Sequence, residues 1–142
     1  MQRAEAIARA AGGLVGTPFR LQGRDPAHGL DCIGLVLASL AGAGIRIDLP
    51  ADYRPHRRSV AIPYEVLQSA GLSTVTGARR AGDILLVRTA PAQMHCAIAV
   101  EHGRIVHAHA GLGRVVRSPL PDGWPILATW RLDSHGETPW QR

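Results

Sequence analysis

Gly29-Leu30-Asp31-Cys32-Ile33-Gly34-Leu35-Val36-Leu37 is the stretch on which the reading of the fold turns. An acidic residue precedes an apolar run with Ile33, Val36, Leu37 and Leu40 at helical spacing, which predicts a helix from about Asp31 to Leu40, ended by Gly42 and Gly44. Cys32 falls in its first turn, where unpaired backbone N–H groups and the helix dipole favour a thiolate. A small buried hydrophobe fits the same position, so the stretch alone leaves the role of Cys32 open. Asp31 is placed to cap the helix, and Gly34 permits close packing beside the sulfur.

Outward from this helix, residues 2–12 predict another, with Ala4, Ile7, Ala8 and Ala11 on one side. Gly16-Thr17-Pro18 turns the chain, and residues 19–28 read as a polar loop that delivers it to Asp31. On the other side, residues 46–62 lack periodicity and predict a surface loop shaping a cleft, followed by a short helix over 63–70 with Pro63 in its first turn. Beyond Gly82 the pattern turns to strands at 83–88, 94–100, 104–110, 114–118 and 126–132. Residues 134–142 form a polar tail in which Trp140 could dock. Helices followed by strands predict an α+β fold with an antiparallel sheet.

A chain of 142 residues fits one domain over 1–142, its core at about 5–132, burying about two thirds of its unfolded surface. With 46% hydrophobic residues and a mean hydropathy of +0.01, disorder is excluded. The longest apolar run, Ile33 to Ala41, is too short to span a bilayer, so membrane insertion is not expected. Met1-Gln2-Arg3-Ala4-Glu5 lacks a secretory layout, which predicts synthesis in the cytoplasm and export only as part of something else. The net charge of +5 rests on arginine alone and favours anionic partners, among them acidic wall polymers. Scattered arginines and 4% aromatics argue against nucleic acid. Two cysteines make no disulfide framework, and a Cys32–Cys96 bridge would disarm a nucleophile.

Cysteine catalysis needs a base beside the sulfur and a group that orients the base. Four of the seven histidines, His95, His102, His107 and His109, fall within the hairpin formed by 94–100 and 104–110. Register decides which cooperate, because a one-residue slip flips every side chain to the other face. A two-residue turn at His102-Gly103 puts His95 and His107 on opposite faces. A three-residue loop Glu101-His102-Gly103, as a type I turn with Gly103 left-handed, puts His95 opposite His109 and all three site histidines on one face. Glycine at the third loop position predicts the latter. On that face Ala97 and Ala99 leave room for another element, for which the Cys32 helix is the candidate; Cys96 points the other way and reads as a buried hydrophobe.

These residues resemble the NlpC-type cell-wall cysteine peptidases. Asp31-Cys32-Ile33-Gly34-Leu35-Val36 is similar to the family's Asp-Cys-Ser-Gly-aliphatic signature, and Gly16-Thr17-Pro18-Phe19 resembles its upstream Gly-Thr-Pro-Tyr. Gly82-Asp83-Ile84-Leu85 resembles the Gly-Asp strand that precedes the histidine. His95-Cys96-Ala97-Ile98-Ala99-Val100 and Ile105-Val106-His107-Ala108 resemble the two histidine strands, with His95 and His107 twelve positions apart. The order holds from about residue 5 to 132. The nearest subgroup is the phage-tail and gene-transfer-agent peptidases, whose members resemble this chain in length and whose Ile-His-Ala-His segment resembles Val106-His107-Ala108-His109 here.

The resemblance implies a papain-like fold, the cysteine helix packed on an antiparallel sheet, and hydrolysis of amide bonds in peptidoglycan stem peptides, typically next to D-glutamate and a diamino acid. It also implies delivery in a tail particle, with tail or baseplate hub proteins as partners and action at the cell wall. Cys32 would be the nucleophile, His95 the base, and His107 the orienting group, with His109 as the alternative orienter. Asp31 would cap the helix, and no metal or organic cofactor is needed. Two positions depart from the family pattern. Phe19 stands where a tyrosine helps bind the oxyanion, a loss worth about 10² to 10³ in rate, and Ile33 stands where serine is commonest. A catalytically inactive structural or wall-binding subunit, a zinc site built from His95, His107, His109 and Cys32, and an acyltransferase with the same Cys-His pair are the other readings.

Overall fold

A computed structural model describes residues 3–47 and 62–133. Residues 48–61, most of the loop expected over 46–62, lie outside the described residues, as do the tail 134–142 and Trp140. Helices α1 (Arg3–Gly13), α2 (Cys32–Gly42) and α3 (Tyr64–Ser69) match the helices expected from periodicity to within a residue or two. The loop expected over 19–28 instead contains the short strand β1 (Arg24–Asp25), which pairs antiparallel with β2 (Gly29–Leu30). Pairing this short is set by tertiary contact with α2, which hydrophobic alternation does not encode.

Strands β3 (Leu72–Val75), β4 (Ile84–Ala90), β5 (Gln93–Ala99), β6 (Arg104–His109), β7 (Arg114–Pro119) and β8 (Ile126–Leu132) form one antiparallel sheet in the order β3-β8-β4-β5-β6-β7. The fold is α+β, helices packed on an antiparallel sheet. Strand β3 was not expected; its four residues, Leu-Ser-Thr-Val, carry too little alternation and are recruited by pairing with β8.

Each sheet face builds a different core. Ile84, Cys96, Ile98, Val106, Ala108, Val115 and Trp130 point to the side covered by α1 and α2, and form the main core with Ile7, Ala11, Ile33, Leu35, Val36 and Leu40. The opposite face carries Leu85, Val87, Ala97, Ala99 and Ile105, covered by Leu120 and Trp124. The expectation that α2 lies against Ala97 and Ala99 is therefore corrected: α2 packs on the Cys96 face. The branched side chains Ile84, Ile98, Val106 and Val115 present the larger apolar surface there, so the helix buries more by choosing it.

The hairpin loop has three residues, Glu101–Gly103, and its pairs Ile98↔Val106 and Ala99↔Ile105 follow the expected register. Its conformation differs from a type I turn: His102 (φ 62°) joins Gly103 (φ 70°) in the left-handed region, the type I′ pattern that matches strand twist. The β5–β6 ladder stops after these two pairs, so the expected pairing of His95 with His109 does not form. Below that level β5 stays paired with β4 (Val87↔His95) and β6 with β7 (His107↔Val116) while the two middle strands part.

Candidate active site

Cys32 is the first residue of α2, so its N–H lacks an intrahelical acceptor and its side chain sits at the positive end of the helix. Asp31 fixes this tip. One carboxylate oxygen accepts from the Gly34 N–H (2.9 Å) and the other from the Gln22 N–H (2.9 Å), tying the incoming loop to the helix. Burial raises the Asp31 carboxyl, opposed by the Gly34 hydrogen bond. Both oxygens are thus engaged, and Asp31 acts as a cap. Gly34 works with it: a Cβ there would stand 2.0 Å from the Gly23 carbonyl oxygen, so only glycine lets the loop close over the helix.

The histidines stand on the opposite sheet face from α2, at the level where β5 and β6 have ceased to pair, and they share a cavity with Cys32. This cavity of about 400 Å³ is lined by Cys32, Met94 and Ala108 together with His95, His107, His109 and Trp124, and by Phe19. Cys32 opens into it with 8% of its surface exposed.

Nε2 of His95 lies 3.2 Å from Nδ1 of His107, with the rings edge to face at a centroid distance of 5.3 Å. His107 is buried, and burial together with the nearby His95 and His109 lowers its pKa to about 4, so it is neutral at pH 7. Its Nε2 is 3.5 Å from the Ser118 hydroxyl. His109 shares the face but faces elsewhere: its Nδ1 accepts from the Leu112 N–H at 3.0 Å, which holds the ring against the β6–β7 turn. His107, and not His109, is the histidine joined to His95.

The Cys32 thiol is held well below its ordinary range, first by a hydrogen bond from the Cys96 thiol and then by the His95 ring, against burial, which pushes it up. Cys96 is pushed well above its ordinary range by the same hydrogen bond, by burial and by the negative charge on Cys32. The arrangement puts a thiol of lowered pKa and an imidazole on one cleft, which can perform nucleophilic chemistry. Among the described residues no group of three or more His, Cys, Asp or Glu side chains is arranged to hold a metal ion.

The sequence pattern of the NlpC/P60 family matches residues 16–129, a span that holds Cys32, His95 and His107 in that order. The chain belongs to the NlpC/P60 family. Among solved structures, this NlpC/P60 chain is similar to NlpC1 from Trichomonas vaginalis (21% identity, TM-score 0.69), covering 92% of this chain and 45% of that one. It is similar to the NlpC/p60 domain of the peptidoglycan hydrolase SagA (24% identity, TM-score 0.60, 91% of this chain and 98% of that one). It is also similar to RipD of Mycobacterium tuberculosis, a non-catalytic NlpC/p60 domain protein adapted to peptidoglycan binding (19% identity, TM-score 0.59, 92% and 98%). The chain spans less than half the length of the Trichomonas proteins. No curated protein matches it.

Two features of the NlpC/P60 site were not foreseen. Trp124 stands edge-on to both His95 (5.9 Å) and His107 (5.2 Å), walling the pair on the face away from α2. It comes from the turn before β8, and no periodicity marks it. Cys96 is buried as expected, but it also shares the core cluster of Cys32, a placement that required knowing which face α2 covers.

Proposed function

We propose that the protein is a cysteine peptidase or amidase that hydrolyses amide bonds in peptidoglycan stem peptides, with Cys32 as nucleophile, His95 as base and His107 as the orienting group. The convergence of a helix-tip thiolate and the His95–His107 pair in one cleft carries this reading. Neutral His107 accepts through Nδ1 from the Nε2–H of His95, which leaves Nδ1 of His95 for the sulfur. The Cys32 thiolate attacks the amide carbon, and protonated His95 gives its proton to the departing amine. His95 then takes a proton from the water that hydrolyses the thioester. The N–H of Cys32 is available to the developing oxyanion, where Phe19 has no hydroxyl to add.

The substrate amide next to D-glutamate, carriage in a phage-like tail or gene-transfer particle with hub proteins as partners, and action at the cell wall after synthesis in the cytoplasm belong to the same reading. They are supported by the Ile105-Val106-His107-Ala108-His109 segment and by the resemblance it carries. A second reading, an inactive wall-binding subunit, is favoured by Phe19 in the cleft wall.

Digestion of purified peptidoglycan separates the two. Wild type is expected to release peptides with new amino termini, identified by mass spectrometry, and Cys32→Ala none. Identical profiles overturn the enzyme reading, and co-sedimentation of both proteins with intact walls then supports the binding one.

A further inference from the structure

Cys96 is a buried thiol that the hydrolytic steps do not use. It follows His95 on β5, so its side chain points to the opposite face, into the core that α2 covers. The two cysteines therefore project from different elements, α2 and β5, into one buried cluster between the helix and the sheet. Their exposure to solvent is unequal: Cys32 lines the cavity, whereas Cys96 is 3% exposed and lies behind it.

We propose that Cys96 is a resolving thiol for Cys32: when peroxide oxidises the nucleophile, Cys96 captures it as a Cys32–Cys96 disulfide that silences the site reversibly. The inference rests on reading Cys32 as a thiolate. In the first step the Cys32 thiolate attacks one peroxide oxygen, the O–O bond breaks, and hydroxide leaves to become water; Cys32 is then a sulfenic acid. In the second, the Cys96 sulfur attacks the Cys32 sulfur, the S–O bond breaks, and the Cys96 proton leaves with the hydroxyl as a second water. Peroxide, reduced by two electrons, is the only oxidant required.

Two physical points favour the sequence. A reactant entering by the cavity meets Cys32 first. The charge and hydrogen bond of Cys32 are among the causes that keep Cys96 protonated, and sulfenic acid formation removes them, so the first step prepares the second. Because both side chains already lie in the layer where α2 packs on β5, closure calls for local adjustment of the two side chains, with no strand moved past a helix.

The test uses the reduced full chain, a small excess of hydrogen peroxide, denaturing alkylation and peptide mapping by mass spectrometry. The expected result is loss of two hydrogens, a linked Cys32–Cys96 peptide pair, and recovery of both thiols with dithiothreitol. In Cys96→Ala, dimedone should label Cys32 and continued exposure should carry it to sulfinic acid, while wild type resists both. Oxygen added to Cys32 of wild type with Cys96 still alkylatable overturns the proposal. If Cys96→Ala does not fold, as judged by circular dichroism, the wild-type map decides alone. The readout needs no turnover: a disulfide in a chain that leaves peptidoglycan intact sinks the hydrolase reading only, and hydrolysis with a persistent sulfenic acid sinks this one only.

Discussion

Nε2 of His95 stands 3.2 Å from Nδ1 of His107 at a level where the strands carrying them have ceased to pair. The separation of β5 from β6 opens the cleft and gives the two rings a place between the strands. Had the ladder continued, His95 would face His109 directly and the rings would lie on a closed sheet, away from the helix tip behind it.

On the proposed mechanism His107 positions His95, the ring it meets at 3.2 Å. His107→Ala should lower kcat on peptidoglycan fragments by about 10²-fold, as expected when a catalytic ring loses its alignment, with KM little changed. His107→Gln, which retains a hydrogen-bonding side chain, should recover part of the loss. A His109→Ala variant that falls as far as His107→Ala would contradict the assignment.

Stability should depend on His107 through pH. Its pKa is lowered from 6.5 to about 4 by burial and its histidine neighbours, so between these values the unfolded chain binds more protons than the folded one. The contribution is therefore fully present above about pH 6.5 and is lost as pH falls towards about 4. Urea midpoints of wild type should drop across that window more steeply than those of His107→Gln. Asp31, raised by burial, acts in the opposite sense nearer its ordinary 3.8, so the difference between the two proteins isolates His107 best at the upper end.

Gly34→Ala should destabilise the protein by about 1–3 kcal/mol, the usual range for overpacking, although alanine gains about 1 kcal/mol in helix propensity. The clash decides the sign, because the added Cβ meets a backbone carbonyl at 2.0 Å and no side chain can swing aside. Denaturant unfolding measures the loss. Asp31→Ala, which removes the acceptor for two N–H groups, should cost about 1–2 kcal/mol, and Asp31→Asn less.

Phe19→Tyr would place a hydroxyl at the cleft wall, near where an oxyanion would form. It should raise kcat by up to about 10²-fold, read from initial rates on defined stem peptides. A change confined to KM would show that the hydroxyl binds substrate without stabilising the transition state.

Much of this is legible in the sequence. The run from Asp31 to Leu40 carried the cysteine helix and its cap, since helical periodicity and capping chemistry are local. Glycine at position 103 set the loop length, and with it the common face of His95 and His107, because register follows from turn geometry. Neither β3 nor β1 was legible, as their few residues adopt strand geometry only when a partner is alongside.

Alone, the sequence determined which residues could do the chemistry and in what local frame: a thiol at a helix start and histidines on one side of a strand pair. Tertiary structure alone decided how they meet. Burial of the larger apolar face sent α2 to the Cys96 side of the sheet, and His95 and Cys32 line one cavity at the level where β5 and β6 no longer pair. That same choice put Cys96 in the core cluster of Cys32. Local patterns specify the face a side chain occupies, but which face a distant helix covers is settled by the total area buried, a property of the whole chain.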